Sequence, residues 1–183
     1  SKVNSISGEF VDNYAYSTTS AQGGVIAIAA GASVPTIDAD FTNNYALSAS
    51  GAAYAGVIYN LATIDSLKGS FTSNYAEAYT AAQGGVIRNQ GTITSIAADF
   101  TGNYAKSNST QAAGGVIINT GTITTLEGDF ENNKAIGSST GALGGAIVNT
   151  GVITSITGDY TGNAAISNQG VAKGGAIGAN SNT

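Results

Sequence analysis

A ring residue returns about every thirty positions along this chain, at Phe10, Phe41, Phe71, Phe100, Phe130 and Tyr160, in steps of 31, 30, 29, 30 and 30. A fixed period of this length leaves few architectures open, because each unit must bury its apolar side against the next copy of itself. Three residues after each ring stands an Asn, at Asn13, Asn44, Asn74, Asn103, Asn133 and Asn163. Two further on stands an Ala, at Ala15, Ala46, Ala76, Ala105, Ala135 and Ala165. A second block, G-G-[VA]-I, begins at Gly23, Gly84, Gly114, Gly144 and Gly174, with Ala55-Gly56 in its place in the second unit. It runs on to Asn60, Asn89, Asn119 and Asn149.

The period inside the unit separates strand from helix. Four residues before each ring is Ile6, Ile37, Leu67, Ile96, Leu126 or Ile156, and two before it is Gly8, Ala39, Gly69, Ala98, Gly128 or Gly158. Apolar or small residues on alternate positions describe a strand with one face inward. Helical repeats of similar length need Leu/Ala-rich runs with few glycines, and this chain has 26 Gly. The pattern predicts an all-β, single-stranded parallel β-helix, a β-solenoid of six coils with three short strands each. The coils fall at about 1–30, 31–61, 62–90, 91–120, 121–150 and 151–183, in a single domain. At about 4.8 Å per coil the rod would be about 29 Å tall. The apolar Ala29 to Pro35 segment lengthens the first step and is expected to bulge at a corner.

In such a stack the rings form an internal column and both Asn series form ladders, satisfying peptide groups at the turns. The parity of the strands directs Gly24, Gly56, Gly85, Gly115, Gly145 and Gly175 inward with the Ile two residues later. It directs Val25, Val57, Val86, Val116, Ala146 and Ala176 outward. With Ile118 and Val148 these are expected to make an apolar strip suited to lateral association.

Composition narrows function. There is no His and no Cys, hence no imidazole acid–base chemistry, thiolate nucleophile, Cys/His zinc site or disulfide. Eleven acidic against six basic residues give a net charge of −5, the wrong sign for a nucleic-acid partner. No segment has the roughly 18 to 20 apolar residues of a membrane helix, so no membrane insertion is expected of it. Ser1 opens without a basic, hydrophobic leader, as a mature or excised chain would.

The G-G-A-I blocks (Gly144 to Ile147, Gly174 to Ile177) alternate with F-x-x-N-x-A (Phe10 to Ala15, Phe130 to Ala135). This alternation resembles the repeats of polymorphic outer-membrane proteins and related autotransporter passenger domains. The run from Asn119 to Phe130 is similar to tandem-repeat, adhesin-like bacterial surface proteins. The resemblance spans all six units. It implies a right-handed β-helix, an extracellular or bacterial cell-surface location, and adhesive or structural work.

Many parallel β-helices cleave polysaccharides, and such sites need carboxylates converging in one groove. Here Glu9, Asp40, Asp99, Asp129 and Asp159 share one repeat position, pointing outward as a column interrupted by Ser70. No catalytic residue is assigned. Asp99, Asp129 and Asp159 are the calcium candidates, since neighbouring carboxylates one coil apart repel and an oxygen-seeking cation would relieve them; no other cofactor is expected. Tyr14, Tyr45, Tyr75 and Tyr104 form a surface ladder that gives way to Lys134 and Ala164. The ladder is a candidate platform for glycans or another rod. The T-x-T pairs Thr92/Thr94 and Thr122/Thr124 are reminiscent of ice-binding solenoids, but decay to Val152/Thr154 and Thr63/Asp65.

The favoured expectation is a non-catalytic structural solenoid stacking head to tail into a filament, with itself as partner. Its stacking ends are Val3, Ile6 and Phe10 against Ile156, Tyr160 and Ile177, with the polar segment from Gly178 to Thr183 beyond. The alternative is an adhesin module binding host or matrix glycans through the Tyr ladder, and ice binding is a more distant one.

Overall fold

The structure is a computed structural model and describes residues 1–179. The end of the sixth repeat, with most of the polar Gly178 to Thr183 segment, lies outside the described residues. Among them every regular element is a β-strand, and each pairs in parallel with its counterpart one coil away. This is the β-solenoid of six coils that the period predicts.

Each coil has four walls instead of three. In the fourth coil they are Thr92–Thr101, Tyr104–Ser107, Gln111–Ala113 and Ile117–Asn119. In four of the six coils the corner after the second wall falls at a Ser, at Ser17, Ser48, Ser107 and Ser167. Ser48 Oγ accepts from Gly51 N–H at 3.2 Å, Ser107 Oγ from Thr110 N–H at 2.9 Å, and Ser167 Oγ from Gly170 N–H at 2.9 Å. A hydroxyl that captures a nearby backbone N–H favours a turn over a continuing strand.

Register is uniform. Phe10 pairs with Phe41, Phe71 with Phe100, and Phe130 with Tyr160. The six rings stack in one file with centroids 4.7 to 5.1 Å apart, close to the spacing of hydrogen-bonded strands. Phe41, Phe71, Phe100 and Phe130 are fully buried with the Ile/Leu files of the first and fourth walls. Between the second and third walls the core is almost wholly alanine, including Ala46, Ala76, Ala105, Ala53, Ala82 and Ala112. The section is therefore a wedge: large side chains hold the first and fourth walls apart, and alanines let the second and third close together.

Two corners need left-handed backbone. The residue before the first Asn series has φ between 57° and 67°, whether Asn43, Ser73, Gly102, Asn132 or Gly162. The first residue of the G-G block behaves alike, with Gly84 at 68° and Gly114 at 64°, and Ala55 held at 60°. After this turn, the amides of Val86 and Ile87 both donate to Val116 O, at 2.9 Å each. Strand alternation fails at that point, and the valine and the isoleucine both face the core. Val57, Val86, Val116 and Ala146 are fully buried and Val25 packs on the same cluster. The predicted apolar strip at these positions is thus core. Ile118 and Val148 do lie outside the tube, but they are buried in the crevice between the third and fourth walls, against Ala113 and Leu143.

The Ala29 to Pro35 segment forms the expected bulge between the first coil's fourth wall and the second coil's first wall. Ser33 bridges both Lys2 and Thr63 there, and Val34 enters the core. Ile28 occupies the place that Asn60 takes one coil on, so the second Asn ladder begins only in the second coil.

Candidate functional site

The Asn ladders carry the polar work of the interior. In the first series each Asn donates both its backbone N–H and its Nδ2 to the Oδ1 of the next. For Asn103 to Asn133 the distances are 2.9 and 3.0 Å. The remaining Nδ2 proton goes to the ring residue's carbonyl one coil back, Phe71 O at 2.8 Å. Each carboxamide thus binds three coils. Asn44, Asn74, Asn103 and Asn133 are fully buried, so these bonds replace water that cannot reach them. The second ladder, Asn60 to Asn89 to Asn119 to Asn149, repeats the Nδ2 to Oδ1 link at 2.8 Å in every step.

The first ladder has a direction. In the Asn-to-Asn links the donors point toward the sixth coil and the acceptors toward the first. Among the described residues Asn13 Oδ1 receives no hydrogen bond, and its Nδ2 falls back on Val11 O at 3.2 Å besides its bond to Asn44. At the other end, Asn163 Oδ1 accepts from Asn133 N–H and Nδ2, while the backbone N–H of Asn163 has no acceptor among the described residues. Ile6, Phe10, Ile156 and Tyr160 are only half-buried, Val3 is exposed and Ile177 is 40% exposed. These residues form the two end faces.

The acidic column lies on the outer side of the first wall and is exposed. Asp40 Oδ1 accepts from Ser70 N–H and Oγ, Asp99 Oδ1 from Asp129 N–H at 3.0 Å, and Asp129 Oδ1 from Asp159 N–H at 2.9 Å. Hydrogen bonds from the next coil therefore engage Asp40, Asp99 and Asp129. Among the described residues no group of three or more acidic side chains is arranged to hold a metal ion, and the calcium candidates Asp99, Asp129 and Asp159 sit in file. An open depression of about 400 Å³ is lined by Asp99 and Asp129 together with Glu127. Its carboxylates are solvated, with no buried acid of the kind that glycoside cleavage uses.

Tyr14, Tyr45, Tyr75 and Tyr104 stack on the outer side of the second wall with centroids 4.7 to 5.1 Å apart and planes within 6°. Stacking covers their faces and leaves their edges to solvent. Only the outer face of Tyr14 and the side of Tyr104 above Lys134 lack a ring neighbour, and Tyr104 and Lys134 line a depression of about 380 Å³. Burial, then the neighbouring Tyr75, then Glu77 push the Tyr104 phenol above its ordinary value. Tyr75 is raised by burial first, then Tyr45 and Glu77.

The T-x-T residues do not form a flat array. Thr92 pairs with Thr122 and Ser95 with Thr125, but Thr94 and Thr124 drop out of the pairing, at a kink between the inward Ile93 and Ile96.

The Ser turns were not among the features expected from the sequence. Ser17, Ser48, Ser107 and Ser167 recur seven residues after the ring, so their signal lies in the same period. Outside the tube, Arg88 lies 4.0 Å over the Tyr54 ring, in the crevice that Ile118 and Val148 fill in later coils.

Comparison with protein-family models, curated proteins and solved structures finds no match for this chain. No described helix is long and apolar enough to cross a membrane.

Proposed function

We propose that this chain is a non-catalytic structural β-solenoid that stacks head to tail into a filament, working outside the cell or at a bacterial surface. The observation that carries the reading is the polarity of the Asn13 to Asn163 ladder. A copy placed beyond the sixth coil offers Asn13 Oδ1 to the N–H and Nδ2 of Asn163, and Asn13 Nδ2 can take Tyr160 O as every interior Asn takes its ring carbonyl. The same register sets Ile156 over Ile6, Tyr160 over Phe10, and Asp159 beside Glu9. A head-to-head joint opposes acceptor to acceptor. A heterologous contact of this kind does not close and produces an open fibre.

Adhesion to glycans has narrower support, because ring stacking withholds most of the tyrosine faces that a sugar would need. Catalysis finds no support in the solvated file of carboxylates.

The chain has no Cys, which permits a clean test. Glu9→Cys and Asp159→Cys alter exposed side chains one coil apart across the joint, within the Cα separation that a disulfide spans. Oxidation of the mixed single variants should give the heterodimer, and the double variant should give a ladder of linked multimers. Disulfide dimers of either single variant alone, or no linkage and no fibres by electron microscopy, would overturn the reading.

A further inference from the structure

Besides the Tyr ladder, the outer side of the second wall carries a second file: Tyr16, Leu47, Glu77, Lys106, Ile136 and Ile166, one from each coil. Their neighbours in the strands, Ala46, Ala76 and Ala105, point into the core, so both files share one outward face. This face is aromatic and aliphatic except for Glu77, Lys106 and Lys134. Tyr14 is 62% and Tyr16 58% exposed. The outer side of the first wall, in contrast, carries mainly charged and hydroxyl side chains, among them Glu9, Asp40, Lys68, Asp99 and Thr101.

From this pattern we infer that the second wall is a pairing surface for a second copy of this chain, laid face to face and antiparallel about a two-fold axis between the third and fourth coils. In that arrangement each coil meets its mirror in the count, first on sixth, second on fifth, third on fourth. The second file then matches throughout: Tyr16 meets Ile166, Leu47 meets Ile136, and Glu77 meets Lys106. The charged contact occurs twice by symmetry, closing a square of alternating charge with the Glu77–Lys106 ion pair of 2.8 Å already present in each copy.

The Tyr file runs beside it. It stands tall through four coils and drops at Lys134 and Ala164, where the depression of about 380 Å³ lies. Antiparallel pairing sets Tyr14 over Ala164, Tyr45 beside Lys134, and Tyr75 edge to edge with Tyr104. Placing the same coils opposite one another, with the axis along the rod, instead sets Glu77 against Tyr75 and leaves both signs of charge unmatched. An isologous surface must be self-complementary, and only the antiparallel arrangement is.

The face measures roughly 29 by 13 Å from strand spacing and rise, about 400 Å² per partner. That is about half of the roughly 800 Å² that stable pairs bury. One chain pairs weakly, and a filament that repeats the face gains by multivalency. The surface does not depend on end stacking.

The test exchanges the charges. In a background carrying Ile6→Lys to block end stacking, sedimentation equilibrium should show dimers that grow with concentration. Glu77→Lys and Lys106→Glu each put like charges together at both contacts and should weaken dimerisation at least tenfold. An equimolar mixture of the two, and the double exchange Glu77→Lys/Lys106→Glu, should restore it. Circular dichroism checks each fold. If Ile6→Lys fails to fold, the comparison is made with unblocked chains by counting paired and single filaments. A parent that stays monomeric up to about 1 mM, single variants that pair as the parent does, or a mixture that fails to recover would overturn the inference. Fibres persisting in Glu77→Lys would show that end stacking stands without it.

Discussion

Asn103 gives its side-chain N–H to Asn133 Oδ1 at 3.0 Å while its own Oδ1 takes the backbone N–H of Asn74 at 2.8 Å. One carboxamide thus closes the same corner in coils on both sides of it. The corner is dry, so each of these bonds has no solvent substitute.

Replacing Asn103 by Ala should therefore be severe. It leaves the backbone N–H of Asn74 and one of its Nδ2 protons buried and unpaired, at about 1–3 kcal/mol each, and the expected loss is about 3–5 kcal/mol. Asn163→Ala, at the half-buried end coil, should lose about 1–2 kcal/mol because water reaches the orphaned groups. Urea unfolding of the two variants beside the parent measures the difference, and equal losses would count against a buried ladder.

Gly85 tests the close approach of coils. A methyl group there would overlap the carbonyl oxygens of Gly115 and Tyr104, both backbone atoms that cannot swing away. Gly85→Ala should cost about 3 kcal/mol. Ala55→Gly, which relieves a positive φ of 60°, should change stability by less than about 1 kcal/mol. Thermal melts of the two variants give the comparison.

Tyrosine ionisation sets the alkaline limit. Burial pushes the Tyr160 phenol up to about 12, and Tyr75 and Tyr104 are also raised. Raised folded-state values mean that the folded chain holds these protons more tightly than the unfolded one. Their contribution is complete below the unfolded value near 10 and is lost as pH rises from there through about 12. Phenolate absorbance should show a late-titrating group among the nine tyrosines, with unfolding in the same interval. The Tyr160 hydroxyl is enclosed with no partner among the described residues, so Tyr160→Phe should hold or raise stability by up to about 1 kcal/mol and remove one late titration.

The six-coil solenoid, its register, the Phe file and both Asn ladders were legible in the chain itself. A thirty-residue period with Phe, Asn and Ala at constant offsets leaves each residue one place to go, over its own counterpart. The outward Asp and Tyr files followed from strand parity for the same reason. Parity stopped serving where the backbone leaves the strand. At Gly84-Gly85-Val86 a left-handed turn puts consecutive side chains on one side, and the valines read as surface are core. The Ser turns likewise mark a corner that makes four walls where three strands per coil were expected. Only the tertiary structure decided these points, because side-chain direction at a corner depends on φ and on which carbonyl lies in the next coil. The direction of the Asn ladder belongs there too, since a carboxamide's two ends look alike in a sequence and differ once neighbours fix which one donates.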